Sequence, residues 1–85
     1  MQSDPKIDLV VHAAIDVLRE HREAAGISKK QLSEKSGVTR TAIILMERYE
    51  RSPSLELLYR ISSALGVTLS SVIEEAETRS AKRRR

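Results

Sequence analysis

Cysteine is absent from the chain, which removes disulfide frameworks, thiolate metal sites and thiol nucleophiles from consideration. Aromatic residues are scarce: there is no phenylalanine or tryptophan, and Tyr49 and Tyr59 are the two tyrosines. Modules that read single strands or RNA stack bases on sets of aromatic rings, and the chain has no such set. No stretch approaches the run of about 18 apolar residues that a membrane span requires. The opening Met1-Gln2-Ser3-Asp4-Pro5 lacks the basic and apolar regions of a signal peptide, so a soluble cytoplasmic protein with no membrane partner is expected. An alternating strand pattern, an internal repeat and a long linker are missing as well.

What remains is one small domain of 85 residues, a size that calls for efficient helix packing or a partner chain. The formal charge of +3 is mildly basic, and its distribution says more than its size. One basic group is Lys82-Arg83-Arg84-Arg85, read as part of a disordered solvating tail over 80–85; residues 1–79 form the domain. A second comprises Lys29, Lys30, Lys35, Arg40, Arg48 and Arg51 in mid-chain. Basic residues without aromatic platforms favour duplex over single-strand recognition.

Caps and periodicity predict five helices. The first opens at Ser3 or Asp4 with Pro5 in its first turn, carries Ile7, Val11, Ala14, Ile15 and Leu18 on one face, and stops at Gly26. The second starts at Ser28, with Gln31 completing a capping box and Ile27 and Leu32 spaced as a hydrophobic staple. Thr39 caps a third helix running to about Glu50, Ser54 caps a fourth that ends at Gly66, and Thr68 caps a fifth.

The second helix, the turn Ser36-Gly37-Val38 and the third helix have the parts of a helix-turn-helix. Ser33 is small enough for a close crossing, Gly37 supplies the turn, and Leu32, Val38, Ile43 and Met46 are inward anchors. With these fixed, the helical wheel turns Thr41, Ile44, Leu45 and Arg48 outward, with Arg40 at the leading edge. Arg40 can fork onto guanine O6 and N7, and the amides at the starts of the second and third helices suit phosphate.

The sequence here resembles the Cro/CI-like (XRE family) helix-turn-helix regulators. The carrying residues are Leu18-Arg19-Glu20, Arg22, Gly26-Ile27-Ser28, Leu32, Gly37-Val38-Thr39-Arg40, Ile43, Glu47-Arg48, Pro53-Ser54-Leu55 and Ala64-Leu65-Gly66-Val67. They fit in order and spacing without a gap over about residues 15 to 75. The resemblance implies an all-α, five-helix, lambda-repressor-like DNA-binding fold. It implies DNA contacts from Ser28 and Lys29, from Thr39, Arg40, Thr41, Ala42, Ile44 and Leu45, and from Arg48 with the loop after it. It further implies that Arg22 and Glu47 form a structural pair joining the first and third helices.

Four positions depart from the family pattern. Tyr49 replaces the glycine that usually closes the third helix, so that helix is expected to run on by a turn rather than strain a tyrosine at positive φ. Ile44 and Leu45 replace polar side chains, and His21 replaces leucine and is expected to be partly buried. Asp8, His12 and Asp16 share one stripe of the first helix, read as surface pairs rather than a metal site.

No cofactor and no enzymatic activity are expected, since no nucleophile, acid–base pair or phosphate-cradling glycine loop is present. The reading is a transcriptional repressor or autoregulator acting as a homodimer on a palindromic operator, with half-sites roughly 34 Å apart. Leu57 and Ile73 are the interface candidates. The alternatives are a protein-interaction module, such as an antitoxin holding a toxin through Ile44 and Leu45, and a non-specific binder driven by the basic tail.

Overall fold

Short polar side chains fix where each helix begins. The computed structural model describes residues 4–83, with α1 (Pro5–Ala24), α2 (Lys29–Ser36), α3 (Arg40–Glu47), α4 (Leu55–Ala64) and α5 (Leu69–Arg83), and no strand among those residues. Asp4 accepts from the Lys6 amide at 2.8 Å, Thr39 from Ala42 at 3.2 Å, Ser54 from Leu57 at 3.1 Å and Thr68 from Ser71 at 3.2 Å. At α2 the capping box is complete: Ser28 Oγ accepts from the Gln31 amide at 3.1 Å and Gln31 Oε1 from the Ser28 amide at 2.8 Å. Each such cap contributes about 1 kcal/mol.

Helix ends are set by left-handed residues. Gly26 and Gly66 have φ of 69° and 76°. Each sits in a paired closure: Gly26 N–H donates to Glu23 O and Ile27 N–H to Arg22 O, and Gly66 and Val67 repeat this on Ser63 and Ser62. The third helix does not run on. It ends at Glu47, and Tyr49 adopts φ 60° in the same closure, with Tyr49 N–H on Met46 O and Glu50 N–H on Leu45 O. The left-handed conformation costs a non-glycine residue about 1–2 kcal/mol, so the tyrosine side chain must supply an offset.

The core is drawn from every helix. Ile15, Leu18, Leu32, Ile43, Met46, Ile61 and Val72 are fully buried, and Val38 closes the turn between α2 and α3. The most extensive packing joins α1 to α5. Arg79 on α5 forks onto Glu20 of α1 at 2.7 and 2.8 Å and reaches Glu75 at 3.1 Å. His21 is exposed, contrary to expectation, because the end of α1 turns it away from the core.

The expected tail boundary also needs correction. Helix α5 continues through Arg83, so Ser80–Arg83 are helical; Arg84 and Arg85 lie outside the described residues. Val72, Ala76 and Ser80 recur every four residues as one buried stripe. Two of the three are small, so the stripe does not register as an apolar face. The Ser80 hydroxyl is buried without a hydrogen-bond partner among the described residues. Ser80→Ala should therefore stabilise the domain by about 1 kcal/mol, from relief of an unsatisfied hydroxyl and better helix propensity. Thermal or urea unfolding measures this, and an unchanged midpoint would mean that residue 80 belongs to a tail.

Candidate nucleic-acid interface

The turn between α2 and α3 is closed by two serines acting on one residue. Ser33 Oγ donates to Val38 O at 2.5 Å, and Ser36 Oγ accepts from Val38 N–H at 3.1 Å. Both polar groups of Val38 are thereby satisfied while its side chain enters the core. Gly37 has φ 74°, a conformation that favours glycine; a Cβ there would meet only the movable end of the Arg60 side chain, at 3.3 Å.

A buried ion pair sets the far end of the recognition helix. Arg22 donates to Glu47 through Nε at 2.8 Å and Nη2 at 3.0 Å, a bidentate fork. Its Nη1 donates to Ile27 O at 2.9 Å, one residue before the α2 cap. One guanidinium thus ties the end of α1, the approach to α2 and the end of α3.

These constraints decide what faces outward. Ser28, Thr39, Arg40, Thr41 and Arg48 are exposed, and Lys29 is half-buried. Ser28 and Thr39 use their oxygens as cap acceptors, which leaves each hydroxyl proton available to a further acceptor. α2 and α3, like α5, carry no acidic residue in the first turn, whereas α1 and α4 have Asp8 and Glu56 there. The positive helix ends at Ser28–Lys29 and Thr39–Arg40 are therefore uncompensated.

Ala42, which the resemblance places among the DNA contacts, is largely buried in the core and offers a base little side-chain surface. It lies one residue before Ile43 and four before Met46, on the flank of the inward face. Ile44 and Leu45 are half-buried rather than fully outward, although α3 is no longer than two turns. Arg48 is exposed and pairs with Glu50 at 2.8 Å. Leu57 and Ile73 are half-buried against the core.

One cluster escaped the sequence reading. Tyr49 folds back on α1, where its hydroxyl donates to Asp16 Oδ1. The Tyr49 ring centroid is 4.5 Å from that of His12 and 5.9 Å from the Arg19 guanidinium. Arg19 in turn donates to Asp16 at 2.8 Å and to Glu47 O at 3.4 Å. Hydrogen bonding with Tyr49, opposed by burial and reinforced by Asp16, raises the Arg19 pKa above its ordinary value. The signals were present separately, as an odd residue at a glycine position and a polar stripe on the first helix.

A family profile described as helix-turn-helix matches residues 18–72. The chain belongs to the Cro/CI-type helix-turn-helix family of transcriptional regulators. That family is one of DNA-binding, non-enzymatic proteins. An HTH-type transcriptional regulator of Methanothermobacter thermautotrophicus is 48% identical over 50 residues, 59% of this chain and 72% of that protein. One from Haemophilus influenzae is 42% identical over 60 residues, 71% of this chain and 61% of that protein. The crystal structure of the clp gene regulator ClgR from Corynebacterium glutamicum superposes with a TM-score of 0.75 at 30% identity, covering 95% of this chain and 83% of that one. The chain spans 48% of two mycobacterial relatives and 32% of the Escherichia coli regulator PuuR. Among the described residues, no helix is long and apolar enough to cross a membrane.

In this helix-turn-helix regulator, Glu47→Ala leaves Arg22 buried without its carboxylate. It should destabilise the domain by about 3–5 kcal/mol. Urea unfolding of the variant tests this; a shift under about 1 kcal/mol would mean that the pair is dispensable.

Proposed function

We propose that the chain is a sequence-specific regulator, a repressor or autoregulator, that binds duplex DNA as a homodimer on a palindromic operator in the cytoplasm. The observation carrying this reading is the pair of uncompensated helix starts, Ser28–Lys29 and Thr39–Arg40, on the two helices that the closed turn joins, with Arg40 and Thr41 exposed. The helix starts suit two phosphates, while Arg40 suits guanine in the major groove. Ile44 and Leu45, half-exposed beside them, suit thymine methyl groups.

The interaction-module reading is weaker at the recognition helix than the sequence suggested, since Ile44 and Leu45 are partly covered. The exposed apolar surface lies instead on α4, where Leu55 is 73% and Tyr59 62% exposed. These two residues, Leu69 and Ile73 line two adjoining hollows between α4 and α5. One end of this strip carries Lys35 and Arg60, the latter paired with Glu56 at 2.9 Å, and the other end carries Glu74 and Glu77. A two-fold axis near Tyr59 and Leu69 would set the net-basic end of one copy against the acidic end of the other. A second copy of the chain is therefore the occupant we assign to this face; it includes Ile73, whereas Leu57 lies off it, packed against the core.

Selection of bound sequences from a random duplex pool tests the whole reading. An inverted repeat with half-sites about 34 Å apart is expected. Unselective binding would promote the non-specific reading, and no duplex binding the interaction module. On the selected operator, Arg40→Ala should weaken binding by about 1–3 kcal/mol and relax the preference at one base pair. An equal loss on every sequence would make Arg40 a phosphate contact. Tyr59→Asp should shift the protein to monomer in sedimentation without altering its circular dichroism. A wild-type chain already monomeric on its operator would end the dimer proposal.

A further inference from the structure

Three helices of this domain end in the same paired closure, and in two of them the left-handed residue is glycine. Glycine would close the end of α3 equally well and without strain, so what tyrosine adds at position 49 is its side chain. That side chain lies against α1 with 43% of its surface still exposed: the hydroxyl meets Asp16, and the ring meets His12 and the Arg19 guanidinium. All three partners lie on α1. Arg48, exposed and paired with Glu50 at 2.8 Å, and Arg51, exposed at the rim of the hollow that Tyr49 and His12 line, flank the anchored residue in the turn that leads away from the recognition helix. A phosphate would take the place of Glu50 on Arg48.

We infer that Tyr49 is a positioning residue for DNA binding: it clamps the turn after α3 onto His12, Asp16 and Arg19, and so presents Arg48 and Arg51 to phosphate. This rests on the DNA-binding reading above and deepens it. An arginine on a loose turn must be immobilised when DNA binds, and that ordering subtracts from affinity; a turn already clamped in the folded protein has little left to lose. The Arg22–Glu47 pair holds the last residue of the helix, and its reach stops there. Tyr49 extends the hold past the helix end.

Tyr49→Gly separates the clamp from the turn, since glycine retains the left-handed conformation and removes the ring. Affinity for the selected operator should fall about threefold to tenfold at unchanged secondary structure. The slope of log affinity against log salt should become shallower by about one for each phosphate that is no longer neutralised. In an Arg48→Ala/Arg51→Ala background the same substitution should have little further effect, because the groups it positions are gone. Amide hydrogens of residues 48–52 should exchange about tenfold faster in Tyr49→Gly, whether or not DNA is present. Tyr49→Phe, which keeps the ring and loses the hydroxyl, should lie between. Unchanged exchange overturns the clamp. Faster exchange with unchanged affinity and salt slope overturns its role in binding, as does an equal loss in both backgrounds. A wild-type chain that binds no duplex overturns the DNA reading itself, and is told apart from the other failures by the exchange rates.

Discussion

The outward face of the recognition helix depends on a charge that has been taken out of water. Arg22 and Glu47 are both buried, and desolvating either alone would cost several kcal/mol. The fork between them, with the third bond to Ile27 O, is the geometry in which that loss is recovered. Hydrophobic contact would tolerate a small rotation of α3 against α1; a bidentate pair with fixed distances does not. The orientation of the recognition helix is thus specified by a directional interaction, while the apolar core supplies the bulk of the cohesion.

Such specification matters because α2 and α3 are eight residues each. Helices of two turns have almost no stability of their own in water. Their caps, the Ser33 and Ser36 bonds to Val38 and the anchors beneath hold them jointly. The recognition surface therefore exists only in the folded domain.

What could be read from the sequence was whatever is decided locally. Caps at Asp4, Ser28, Thr39, Ser54 and Thr68 involve residues two or three positions apart, and each stands where expected. The inward anchors follow from helical periodicity. A tyrosine at position 49 predicts a longer third helix, because local rules see only the strain of a positive φ. The resolving contacts come from Asp16, 33 positions away, which no local rule supplies. The continuation of α5 is illegible in the sequence for a related reason: Ala76 and Ser80 are buried by α5's packing on α1, and small residues carry little apolar signal. Ala42 is a matter of a few tens of degrees on the wheel, which neighbouring packing decides.

The eight residues of α3 divide their duties by side. Ala42, Ile43, Met46 and Glu47 look into the domain, and Arg40, Thr41, Ile44 and Leu45 look at least partly out of it. Residues on one side answer to packing, those on the other to whatever the surface meets. A lineage carrying this fold can therefore drift in what it recognises while its folding is held constant, because the two kinds of substitution fall on different positions. The position where that independence fails is Tyr49, which ends the helix by its backbone and grips α1 by its ring, so a change there is felt by both.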